Sequence, residues 1–135
     1  MSVLQYAIQV LQVEHVIVCG HYGCGAVQAV INQSRFGLID YWLSSIRRVH
    51  DKYETAIDRL STSDEKSDRL CELNVLEQAR HVCQTDIVQD TWRAQKSLTV
   101  HGWIYRLTDG RLHSLQFCVA SNDELQKVTH DLVLG

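Results

Sequence analysis

His15-Val16-Ile17-Val18-Cys19-Gly20-His21-Tyr22-Gly23-Cys24-Gly25 is the stretch on which the reading of this chain turns. Val16 to Cys19 is β-branched and continuously apolar, as suits a strand buried on both faces, whereas Ala26 to Ile31 reads as a helix of good formers. His21 and Cys24 therefore flank a βα turn, which Gly20, Gly23 and Gly25 allow to be tight. An imidazole and a thiolate are ligands that zinc accepts readily, and the dipole of a helix N-terminus favours the thiolate form of a nearby cysteine. A catalytic zinc site takes three protein ligands and keeps one position open, so His21 and Cys24 make two of three.

Competing readings are weaker in their chemistry. Glycine-rich turns of this kind also cradle phosphates, but this one lacks both the Lys-Ser/Thr of a P-loop and the G-x-G-x-x-G of a dinucleotide fold. Cys19, two residues before His21 on the same strand face, is either a core thiol or an alternative third ligand. Cys71, Cys83 and Cys118 fall on apolar faces, where burial as small hydrophobes is the default. His15, His50, His81, His113 and His130 have no partner at metal-binding spacing and read as surface or capping residues.

Working outward, Val3, Leu4, Ala7, Ile8, Val10 and Leu11 recur at helical spacing, predicting a first helix that ends near Glu14. Leu38, Ile39, Trp42, Leu43, Ile46, Val49 and Tyr53 form a second stripe, predicting one long helix that reaches toward Leu60. Ser61 to Ser67 reads as a polar loop, with Asp68 capping a helix that carries Leu70, Leu73, Leu76, Ala79 and Val82. Thr85 or Asp86 caps a short helix through Trp92. Leu98 to Leu107 is strand-like, and Thr108-Asp109-Gly110 turns it back into a strand bearing Leu112, Leu115, Phe117 and Val119. Ser121-x-x-Glu124 is a capping box for a final helix. The order predicts an α/β fold: a reduced parallel sheet with helices on its faces and an antiparallel hairpin strand near the C-terminus.

The 135 residues are 45% apolar, enough for one domain, residues 1–135, that buries about two-thirds of its unfolded surface. A net charge of −3 with scattered basic residues argues against nucleic acid or an anionic membrane as partner. No apolar run is long enough to span a bilayer, and no basic region leads into a signal-peptide core. Five cysteines, an odd number, fit reduced thiols and metal ligation better than a disulfide framework, and with them a cytoplasmic address.

The longer string VEHVIVCGHYGCGAVQAVI, residues 13–31, resembles the β-class carbonic anhydrases in their bacterial branch. The resemblance continues through Gly37-Leu38-Ile39, Trp42-Leu43, Leu70-Cys71-Glu72-Leu73-Asn74-Val75, Glu77-Gln78 and Val100-His101-Gly102-Trp103-Ile104-Tyr105 to Asp109-Gly110. It implies Zn2+ held by His21 and Cys24, with reversible hydration of carbon dioxide to bicarbonate as the activity. It also implies that Tyr105 helps to hold an inhibitory bicarbonate in some bacterial members.

The family takes its first zinc cysteine from an upstream C-x-D-x-R motif, whose aspartate and arginine form a dyad at the metal. No cysteine here has aspartate two residues on. The expectation is therefore an N-terminally truncated domain, weakly active or inactive by itself, or an inactive carbonic-anhydrase-like protein acting through subunit association. The strand bearing His21 should present an unpaired edge, and the stripe around Trp42 and Ile46 surplus apolar surface, so a homo-oligomer is expected.

Overall fold

The computed structural model describes residues 1–134, with side chains to residue 129, so the side chain of His130 lies outside the described residues. Strand β1 (His15–His21) pairs in parallel with β2 (Thr99–Arg106), which pairs antiparallel with β3 (Arg111–Val119). The sheet order is β1-β2-β3, so β1 is an edge, as expected. The β2–β3 hairpin closes at the anticipated turn, where Gly110 has φ 66° and Asp109 accepts the Arg111 N–H at 2.9 Å.

One face of the sheet is covered. Val100, Ile104, Phe117 and Val119 point to it and are buried, while helix α5 (Ser63–Cys83) packs across all three strands. α5 lies close to the sheet because Gly20 and Gly102 have no Cβ: Val75 occupies the space that one at Gly20 would need. Gly20 thus serves helix packing rather than the tight turn expected of it. Of the three glycines in the motif, Gly23, at φ 68°, is the one whose backbone needs glycine.

The other face is open, which corrects the expectation that β1 is buried on both faces. Its residues alternate between half-buried and exposed: Val16, Val18 and Gly20 turn toward α5, and His15, Ile17, Cys19 and His21 turn outward. Cys19 and Cys118 are therefore exposed rather than core thiols, whereas Cys71 and Cys83 are buried as expected. A continuous apolar run does not reveal that helices cover one face alone.

Three helix boundaries differ from expectation. The first helix, α1 (Ser2–Gln5), passes into a π-helical turn (Tyr6–Val10) and stops where Gln12 adopts φ 55°, short of Glu14. The long stripe is two helices, α3 (Ile39–Lys52) and α4 (Glu54–Asp58), broken at Tyr53. The polar stretch Ser61–Ser67 is mostly the start of α5, not a loop. Thr62 and not Asp68 is its N-cap, because Thr62 accepts the Glu65 N–H and the Glu65 carboxylate accepts the Thr62 N–H, a complete capping box.

The remaining helices are α2 (Gly25–Ile31), α6 (Asp86–Arg93), with Thr85 at its N-cap, and α7 (Asn122–Leu134). Before α7 the Ser121 hydroxyl accepts the Glu124 N–H as the capping box requires, but the Glu124 carboxylate reaches back to the Ala120 N–H. Among the described residues no helix is long and apolar enough to cross a membrane.

Candidate metal centre

β1 ends at His21 and α2 starts at Gly25, so both sequence-predicted ligands sit at the carboxyl end of a parallel strand, where open α/β sheets bind their ligands. His21 Nδ1 lies 2.9 Å from the Tyr22 carbonyl oxygen. A carbonyl can only accept, so Nδ1 carries the proton and Nε2 keeps a free lone pair. Metal-binding histidines are commonly oriented by such a bond. Cys24 is the N-cap of α2 and half-buried, with an extended backbone and its carbonyl accepting the Gln28 N–H at 2.9 Å.

The nitrogen and sulfur donors suit zinc, and the His21 tautomer is the one a metal requires. The set is nevertheless incomplete, because among the described residues no three His, Cys, Asp or Glu side chains gather to hold an ion. Cys19 does not supply a third ligand, and its thiol donates to the Gly20 carbonyl at 3.4 Å. Burial pushes the Cys71 thiol up to about 11, despite an opposing backbone hydrogen bond from Cys24, so it stays protonated at neutral pH.

Tyr105 is the register partner of His21, so the two side chains emerge on the same open face of the sheet. The Tyr22 N–H donates to the Tyr105 carbonyl at 3.1 Å and continues the strand pairing into the turn.

A polar cluster beside the turn was not anticipated. The Tyr22 hydroxyl donates to Glu72 at 2.6 Å, Arg69 donates to the other Glu72 oxygen at 3.0 Å, and the Arg106 guanidinium lies 4.1 Å from the Tyr22 ring centroid. Burial, and then the bond to Glu72, raise the Tyr22 hydroxyl to about 12, so it is a neutral donor throughout the physiological range. Tyr22 and Glu72 are fifty residues apart, and no spacing signal joins them. The cluster anchors the residue whose carbonyl orients His21.

The fold is shared with a β-carbonic anhydrase of Coccomyxa solved in complex with acetazolamide, at TM-score 0.84 and 31% identity, over 98% of this chain and 64% of that one. The carbonic anhydrase family profile matches residues 1–112. This chain belongs to the β-class carbonic anhydrase family. A carbonic anhydrase of Emericella nidulans is 42% identical over 115 residues, covering 85% of this chain and 50% of its own length. One from Synechococcus elongatus is 32% identical over 133 residues, 90% of this chain and 44% of its own length. Tetrameric β-carbonic anhydrases of Sordaria macrospora superpose at TM-score 0.81 and 26% identity, over 88% of this chain and 60% of theirs. The chain spans about half the length of the curated relatives it matches.

Proposed function

We propose that residues 1–135 act as one β-carbonic-anhydrase-like domain carrying part of a zinc site for the reversible hydration of carbon dioxide to bicarbonate. The observation that carries this is the His21 ring, its Nδ1–H fixed on the Tyr22 carbonyl and its Nε2 free, three residues before a thiol at a helix N-cap. Zinc, when bound, lowers the pKa of water and so supplies a nucleophile at neutral pH. His21 and Cys24 would hold the ion, and the Tyr22 carbonyl keeps the His21 lone pair pointed at it. A complete site would need a third ligand and the acidic dyad from other polypeptide, so the chain alone is weakly active or inactive. Tyr105, on the same face as His21, is the candidate contact for bicarbonate.

A second reading, a catalytically inactive carbonic-anhydrase-like subunit, is favoured by exposed apolar surface. Leu38, Tyr41 and Trp42 are 86%, 82% and 86% exposed, and β1 is an unpaired edge. Both features fit a homo-oligomer, and tetramers are found among the structural relatives. Five free cysteines fit a reducing, cytoplasmic setting.

Metal analysis and stopped-flow bicarbonate formation test the proposal. The chain alone should hold zinc substoichiometrically, lose it in Cys24→Ser, and hydrate carbon dioxide slowly; joined to a C-x-D-x-R segment from a relative, it should gain both zinc and rate. A full zinc complement with rapid hydration by the chain alone refutes the incomplete site. Zinc and rate unchanged by that segment favour the inactive subunit.

A further inference from the structure

At the other end of β1, on the open face of the sheet, His15 Nδ1 lies 3.1 Å from His101 Nε2. Their ring centroids are 5.3 Å apart, and the rings are tilted by 42°. Without a metal, this spacing is held by one N–H···N hydrogen bond, in which one ring donates and the other accepts. It is also close to the bite of a metal ion. Metal–nitrogen bonds of ~2.0–2.1 Å at a tetrahedral angle place two imidazole nitrogens about 3.3 Å apart.

The backbone delivers this geometry rather than a flexible loop. His15 is paired with Thr99 and His101 with Ile17, so the two histidines are diagonal neighbours on adjacent parallel strands. Trp103 flanks the His101 ring at 5.9 Å between centroids. Burial, followed by the neighbouring His15, lowers the His101 pKa from its ordinary value.

We propose that His15 and His101 form a second metal site, taking an imidazole-preferring divalent ion such as Zn2+, Ni2+ or Cu2+ across β1 and β2, with water in the remaining positions. The site does not depend on the reading of His21 and Cys24. His21 lies six residues further along β1, about 20 Å away at the rise of an extended strand. An ion held here clips the edge strand to its neighbour at the end opposite the catalytic half-site. With two protein ligands its binding is weak and exchangeable, unlike that of a closed structural site.

The test starts from the His21→Ala/Cys24→Ser chain, which lacks the other ligands. Ni2+ titrated by calorimetry should bind one ion per chain, and His15→Ala or His101→Ala added to that background should weaken it on the order of tenfold or more. Zn2+ titrated into the unsubstituted chain should shift the 15N resonances of His15 Nδ1 and His101 Nε2 together, a readout that holds even if a His101 variant fails to fold. Absence of nickel binding in the background chain, equal affinity after either histidine is removed, or zinc titration that leaves those two nitrogens unmoved would each overturn the proposal.

Discussion

Val75 of α5 sits against Gly20 of β1 so closely that a Cβ on residue 20 would overlap its Cγ2 methyl. The same side chain lies beside Gly102 on the neighbouring strand, so one valine fills a depression made by two glycines. Gly20→Ala should therefore destabilise the fold by about 1–3 kcal/mol through overpacking. Val75→Ala combined with it should recover part of the loss. A double-mutant cycle by urea unfolding measures the coupling, and strictly additive effects would contradict this contact.

Glu77 is 3% exposed and accepts from Lys52 at 2.6 Å, Tyr53 at 2.6 Å and Arg80 at 2.9 Å. Burial alone would raise its carboxyl, but those three donors outweigh it and hold the pKa at about 2, against an ordinary 4.5. The folded state thus binds fewer protons than the unfolded state between these values. Its stabilisation is complete above pH 4.5 and is lost as pH falls toward 2, on the order of 3 kcal/mol in total. Glu77→Gln should flatten this acid limb and cost about 3 kcal/mol at neutral pH, because Lys52 and Arg80 lose their counter-charge. Acid denaturation monitored by circular dichroism checks both.

Tyr22 provides the alkaline counterpart. Burial and the bond to Glu72 raise its hydroxyl from 10.0 to about 12, so its stabilisation is full below pH 10 and is lost as pH rises through 12. Tyrosinate absorbance, taken as the difference from Tyr22→Phe, should show this late titration. Glu72→Gln should move it toward 10 without reaching it, since burial remains. An unmoved titration would show that Glu72 does not act on the hydroxyl.

Trp42 and Leu38 belong to the apolar stripe expected to carry surplus surface around Trp42, and both project into solvent, while Leu43 and Val49 of α3 are buried. Sedimentation should show a species heavier than the monomer, and Leu38→Glu/Trp42→Glu should shift it toward monomer with the circular dichroism spectrum unchanged. A monomeric unsubstituted chain would remove self-association as the role of this surface.

Much of the fold was legible because it is encoded locally. The hairpin at Thr108-Asp109-Gly110, the serine cap before α7 and the βα turn at Gly23 each lie within a few residues and act through backbone conformation. The start of α5 is also encoded locally, in Thr62 and Glu65, but the polar composition of Ser61–Ser67 reads as a loop. The break at Tyr53 was not legible, since the apolar stripe runs on through it at helical spacing.

The sequence by itself determined the family, the two donor types at His21 and Cys24, the parallel-then-antiparallel strand order and the lack of aspartate two residues after any cysteine. These are properties of residue type and short spacing. Only the tertiary structure decided that one sheet face is bare, that Gly20 exists for Val75, that Glu72 reaches Tyr22 and that His15 meets His101. The last three join residues at least fifty positions apart, through the packing of α5 on the sheet or the register of β1 against β2. A one-dimensional pattern carries no such distance, because register and helix placement are fixed only once the whole apolar surface is buried together.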